Sequence, residues 1–394
     1  MPQPNPDQPS SFNLFALGFR AFFVFAGLAA LVLMALKGKS LSGSSIDSYY
    51  GALLWHGHEM IFGYAGAVIA GFLLTAVGNW TGQVILSGRS LGCLCLLWVY
   101  GRILPFFADS LPHGLIAAVD LAFLPALAVV IGMPIVRAKK YPNLVFVAVL
   151  ALMAVANVLI HAEALGVSET GALLGTKVAL ALVILLIIVL AGRVFPFFTE
   201  RRLPGATPRR SPTLERWCIG SFMGWFAADA LFPEAILSGV LALLAAGLHA
   251  LRLVGWYDRR IWTVPLLWVL FLGYGWIVLG LILQAFTAFF GWVMPFIAIH
   301  AFTVGGIGVL TLGMMARVSL GHTGRPLQAP NVIVASFVLI NAAALIRVLL
   351  PVVDPSWYSS FVMLSLLLWI SAFALFLYVY SSILIAPRAD GRPG

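Results

Sequence analysis

The chain has 394 residues, of which 62% are hydrophobic and only 9% charged, with a mean hydropathy of +1.03. A soluble chain of this length carries roughly a quarter charged residues, so the composition excludes an ordinary soluble protein and predicts an all-α, polytopic membrane protein. The formal charge of +9 would suit nucleic acid, but its distribution along the chain excludes that partner.

Met1 to Ser11 is polar and proline-rich, with no pattern of a cleavable signal peptide. A helix needs about 20 apolar residues to cross a bilayer. Twelve such runs begin near Leu17, Ser48, Leu91, Pro112, Tyr141, Gly171, Leu214, Leu231, Ile261, Gly291, Pro330 and Tyr358. The whole chain, 1–394, reads as one integral membrane domain. Its halves, 12–199 and 213–386, are joined by a basic loop, 200–212, and show no evident sequence repeat. Eighteen of the 23 Lys and Arg fall at the N-terminus and on alternate loops. Lys37, Lys39, Arg102, Lys177 and Arg347 take the other face. By the positive-inside rule both termini are cytoplasmic, and anionic inner-leaflet lipid accounts for the basic charge.

This topology gives each histidine a depth. His56 and His58 open the second span, His161 ends the fifth and His300 begins the tenth, so all four belong near the outer face. His249 and His322 belong near the cytoplasmic face, and His113 lies in a short external loop. Ionisable groups within a membrane mark function by default, and imidazole is the commonest metal and haem ligand. On a continuous α-helix His300 and His322 would be about 33 Å apart, which predicts two centres. His56 and His58 diverge by about 200° on a regular helix. They share a metal only if the backbone about Gly57 is not yet helical; otherwise one binds metal and the other faces water. Glu59 is a candidate to orient a histidine, to carry protons, or simply to sit in interfacial water.

Gly305, Gly306 and Gly308 offer a flat surface to a porphyrin, or serve close helix packing. Arg193, Arg252 and Arg317 are candidates to clasp haem propionates, or anchor helix ends at the inner face. Asn157, four residues before His161, shares its helix face. Asp120, Asp229 and Asn341 are lone polar residues suited to proton paths or helix packing. Cys93, Cys95 and Cys218 read as small buried apolar residues. They form neither a C-x-x-C pair nor a C-x-x-C-H attachment site, so any haem is non-covalent.

Several blocks resemble the NnrS family of bacterial membrane proteins. They are Trp55-His56-Gly57-His58-Glu59-Met60 with its continuation to Gly82, Gly192-Arg193-Val194-Phe195-Pro196, His249-Ala250-Leu251-Arg252, and His300 through Arg325. The resemblance implies twelve helices in the bacterial inner membrane, haem (of b-type) and copper, and a role in nitric oxide metabolism of denitrifying or nitrosatively stressed cells. It supplies no ligand assignment. On depth alone, His249 and His322 with Arg252 and Arg317 suit an inner haem. His300 suits a second haem iron, with His56, His58 and His161 left for copper. Three functions follow: reduction of nitric oxide to nitrous oxide with electrons from quinol or a small donor, nitric oxide sensing or protection without catalysis, and copper or haem transport. The ten scattered methionines make transport the weakest.

Overall fold

The computed structural model describes residues 12–233, 235–291 and 294–392. The polar start, Met1 to Ser11, lies outside the described residues. Every regular element among them is helical. The principal helices are α1 (Gly18–Leu41), α2 (Gly51–His58), α3 (Gly66–Thr81), α4 (Gly88–Ile103), α5 (His113–Arg137), α6 (Leu144–Ala164), α7 (Gly171–Arg202), α8 (Pro212–Leu231), α9 (Ile236–Trp256), α10 (Pro265–Phe290), α11 (Pro295–His300), α12 (Val309–His322), α13 (Asn331–Val348), α14 (Leu350–Val353) and α15 (Tyr358–Ile385).

Eleven helices of the described residues are long and apolar enough to cross a membrane. The remaining expected run, from Leu214, is α8. It is helical for 20 residues but carries Glu215, Arg216 and Asp229, which lower its hydropathy. Ser211 caps α8 through the Leu214 amide, and Pro212 fills its first turn, where no intrahelical N–H bond is lost.

Two spans are not α-helical throughout. Directly after His58 the chain runs as a π-helix over Glu59–Ala65, and directly after His300 as a π-helix over Ala301–Gly308. Such wide turns concentrate at functional sites. They also change the register that a regular 100° spacing assumes between His300 and His322.

The chain folds into two compact units. The first contains residues 1–176, 315–328 and 373–394; the second contains 177–314 and 329–372. The division therefore passes through helices, at residues 176, 314 and 372, and not through the loop 200–212. In the first unit, buried Arg20 on α1 donates to the carbonyls of Leu384 and Ala386 (2.8 and 2.7 Å), which satisfies the open C-terminal end of α15. In the second unit, Ser336 donates to the Ala372 carbonyl and Ser365 to that of Ala343, bonds of 2.7 and 2.8 Å between α13 and α15. Hydroxyls of this kind join helices where lipid provides no hydrophobic drive. Cys95 and Cys218 are buried as expected, whereas Cys93 is exposed on α4.

Candidate metal centre

Residues 51–58 are already helical, so His56 and His58 diverge. His58 is fully buried at the end of α2 and opens the π-turn beside Glu59, also buried. His58 Nδ1 lies 3.1 Å from Glu59 Oε1, and its Nε2 lies 3.0 Å from Asn157 Oδ1 and 3.3 Å from Asp120 Oδ2. Asn157 and His161, one turn apart on α6, both reach Asp120 on α5. Asn157 Nδ2 donates to Asp120 Oδ2 at 2.8 Å, and His161 Nε2 meets the same oxygen at 2.9 Å. The Tyr49 hydroxyl is 3.2 Å from His161 Nδ1.

One ligand atom each from His58, Asp120 and His161 lie within 4.8 Å of one another, and all three residues are buried. Two imidazoles and a carboxylate suit a borderline transition ion. His58 Nε2 faces Asn157 Oδ1, and His161 Nε2 faces Asp120 Oδ2. A cation taken up at these nitrogens would bind neutral imidazoles, each keeping its one ring proton on Nδ1, towards Glu59 Oε1 and Tyr49 Oη.

Arg102 on α4 ties the carboxylates. Its Nη1 donates to Glu59 Oε1 at 2.8 Å and its Nη2 pairs with Asp120 Oδ1. The clamp leaves Asp120 Oδ2 turned to the histidines and fixes the orientation that a metal ligand needs. Two glycines make room for it. A Cβ on Gly63 would lie 3.1 Å from both Arg102 Cδ and Glu59 Oε2; one on Gly101 would lie 3.0 Å from Asp120 Oδ1. Glu59 Oε2 is buried and has no hydrogen-bond partner. Tyr50 stacks on His58 with ring centroids 3.9 Å apart. Burial pushes the Tyr49 phenol up to about 12 and holds Tyr50 well above its ordinary value. Both therefore keep their protons at neutral pH.

The structure thus brings together His58, Glu59 and His161 of the residues expected from sequence. Among the described residues His56 is not in the ligand group. Asp120, the third member of the group, was legible only as a lone acid in an apolar run, and Arg102 only as one of five charges on the sparsely charged face.

The other candidates have different surroundings. His300, in the second unit, has Nδ1 2.6 Å from the Phe296 carbonyl, and its Nε2 accepts from Arg347 at 3.4 Å. Gly305 and Gly308 do not present an open face to a porphyrin. A Cβ on Gly305 would run into Trp276, and one on Gly308 into Trp369, at 2.5 Å. Close packing explains these glycines.

His249 is fully buried, with Nδ1 2.5 Å from Tyr274 Oη and Nε2 3.2 Å from the Cys218 carbonyl. Arg252 holds a carboxylate, but it is Glu215's: Nε reaches Oε1 at 2.9 Å and Nη2 reaches Oε2 at 2.6 Å, while further bonds go to Tyr274 and Ile188. Arg193 lies beside Gly192, where a Cβ would meet Glu215 and Arg252. Arg317 is buried on α12. His322, in the first unit, has its carbonyl bonded by Arg388 at 3.0 Å, and its ring lies against Phe19, centroids 5.7 Å apart.

These features test the fit of a haem. His249, with both nitrogens hydrogen-bonded, does not fit an axial ligand without giving one bond up. An apolar cavity of about 490 Å³ in the second unit is lined by residues such as Leu253, Phe271 and Trp276, with no histidine, cysteine or methionine in its wall. His322 fits better. Its ring makes no hydrogen bond among the described residues, and Arg388 lies close enough to act on it electrostatically. Arg325 and Arg388 lie close enough to act on Arg20, but Arg388 is already paired with Asp390 through Nε and Nη2.

An all-helical chain with eleven membrane-length spans is a multi-pass membrane protein, and its buried His–Asp–His group is one that could hold a metal. The chain belongs to the NnrS family: the family model described as NnrS protein matches residues 13–388. Membership suggests a membrane protein related to nitric oxide metabolism and associated with haem or metal binding. No curated protein matches the chain.

Proposed function

We propose that this protein is a bacterial inner-membrane metalloprotein that reduces nitric oxide to nitrous oxide, with copper held by His58, Asp120 and His161. The observation that carries the reading is the convergence of three buried ligand atoms within 4.8 Å, combined with family membership. A bound copper ion would supply a redox couple and a coordination position for nitric oxide.

The protein's own groups supply the rest. Arg102 orients the Asp120 carboxylate, and Asn157 steers His58 Nε2. Glu59 Oε2, buried and without a partner, is the atom at which a proton is held for delivery. Two nitric oxide molecules, two protons and two electrons balance to one nitrous oxide and one water; the electrons come from quinol or another small donor. Non-covalent haem of b-type belongs at His322, with Arg317 and Arg325 as neighbours in sequence and Arg20 as a further cation.

The test is metal analysis and nitric oxide consumption by purified wild type and Asp120→Asn. Wild type carries stoichiometric copper and consumes nitric oxide with an added reductant; Asp120→Asn loses both. Metal-replete protein that binds nitric oxide without turnover would replace catalysis by sensing or protection. The Arg102–Asp120 pair, which already satisfies the carboxylate's other oxygen, is the feature that favours this second reading. Saturable copper or haem movement across vesicles would instead make it a transporter.

A further inference from the structure

Arg347 ends α13 in the second unit and is 7% exposed. A guanidinium in apolar surroundings demands a counter-ion. Among the described residues none is present: no carboxylate pairs with Arg347, and its neighbours are Tyr358, His300 and two ring faces. Its Nη2 donates to Tyr358 Oη at 3.1 Å and to His300 Nε2 at 3.4 Å. Its carbon centre lies 5.7 Å from the Phe296 ring centroid and 5.3 Å from that of Tyr358. Nη1 is buried and makes no hydrogen bond. Elsewhere in this unit Arg252 is bound to Glu215 and Arg260 to Asp258, whereas Arg347 has no such acid among the described residues.

His300 and Tyr358 are only half-buried, and Arg347, Tyr358 and Phe296 all lie near span ends. Water therefore has access to the cluster's edge. The donors are convergent. Nη1 offers two free N–H groups. The Tyr358 oxygen already accepts from Nη2, so its own O–H remains to donate. His300 Nδ1–H is spent on the Phe296 carbonyl at 2.6 Å, which leaves Nε2 as an acceptor that holds the guanidinium in place.

We propose that Arg347 and Tyr358, positioned by His300, form a binding site for a small planar oxyanion of single charge, such as nitrite or formate. A planar two-oxygen anion matches the guanidinium fork, which a spherical halide does not. One cation in an apolar cage neutralises one negative charge, so a dianion such as sulfate is excluded. This site is separate from the His58 group and does not depend on the reading proposed for it.

The experiment is thermal unfolding of the detergent-purified full chain against increasing formate, then nitrite, at constant ionic strength set with sulfate. Ligand that binds only the folded state raises the midpoint saturably. The expected result is a rise of several degrees in wild type with formate and with nitrite, and none with chloride. Arg347→Met abolishes the response, yet melts no lower than wild type in anion-free buffer, because an uncompensated charge has been removed. Tyr358→Phe keeps the ring against the guanidinium and weakens binding about ten-fold, the loss of one charge-assisted hydrogen bond. His58→Ala leaves the response intact, which separates this site from the metal group. The proposal is overturned if wild type shows no saturable rise, if chloride acts equally, or if Arg347→Met responds as wild type does.

Discussion

Asp120 Oδ2 lies 2.9 Å from His161 Nε2 and 3.3 Å from His58 Nε2, so a single carboxylate oxygen on α5 serves two imidazoles that arrive on α2 and α6. The other oxygen of Asp120 is engaged by Arg102. This bridging position makes Asp120 the residue on which both the metal group and the local charge balance turn.

Replacement of Asp120 separates those two roles. Asp120→Ala leaves the Arg102 guanidinium without one of its two carboxylates, and breaking a buried pair of this kind costs about 3–5 kcal/mol. Asp120→Asn keeps the shape and the hydrogen bonds at lower cost. Both variants should lose metal in elemental analysis, but only Asp120→Ala should unfold markedly earlier. Retention of full metal by Asp120→Asn would remove Asp120 from the ligand set.

The histidines of the Trp55–Glu59 block should behave unequally. His58→Ala and His161→Ala are expected to abolish metal binding, while His56→Ala keeps it, because α2 turns His56 away from the group. Equal losses in all three would mean that the helix start unwinds when metal binds.

Metal binding should compete with protons. The neutral imidazole is the ligand, so protonation of His58 or His161 opposes the ion. Metal titrations at several pH values should show the apparent affinity fall as pH falls. An affinity independent of pH would remove the two imidazoles from the ligand set.

Gly63 and Gly101 should be intolerant for a reason of space. Gly63→Ala presses on Arg102 Cδ and Glu59 Oε2, and Gly101→Ala presses on Asp120 Oδ1. Both groups sit in an ion-pair network and yield only by breaking it. Each variant is expected to lose about 1–3 kcal/mol and to retain less metal, read by melting and elemental analysis. Gly92→Ala, on the same helix with open space around it, is the control and should change neither.

Tyr49 predicts an alkaline limit. Its folded-state value is raised from 10.0 to about 12 by burial. The unfolded chain therefore loses this proton first, and the stabilisation is complete below pH 10 and lost as pH rises from 10 towards 12. The melting midpoint should fall over that window, and Tyr49→Phe should fall less. Absorbance of phenolate below pH 10 attributable to Tyr49 would contradict the burial argument.

Much was legible from residue order alone, because transfer of apolar side chains into lipid is a local and additive property. The spans of α1, α7 and α10, the all-helical class and the family followed from composition, run length and the blocks about His58 and His300. The closeness of His161 to Asn157 followed from helical spacing. What sequence spacing did not reveal is which helices touch. Asp120 lies 41 residues from His161 and Arg102 lies 43 from Glu59, and no local pattern links them; the close approach permitted by Gly101 and Gly63 does. Likewise the π-turns after His58 and His300 arise from packing, since a regular helix is the default for those residues. The glycines of the His300 span, equally suited to a porphyrin or to a neighbouring helix, were decided for packing by Trp276 and Trp369. Residue order determined that the chain crosses a membrane and carries ionisable groups into it; tertiary contacts decided which of those groups neutralise one another and which remain to bind something else.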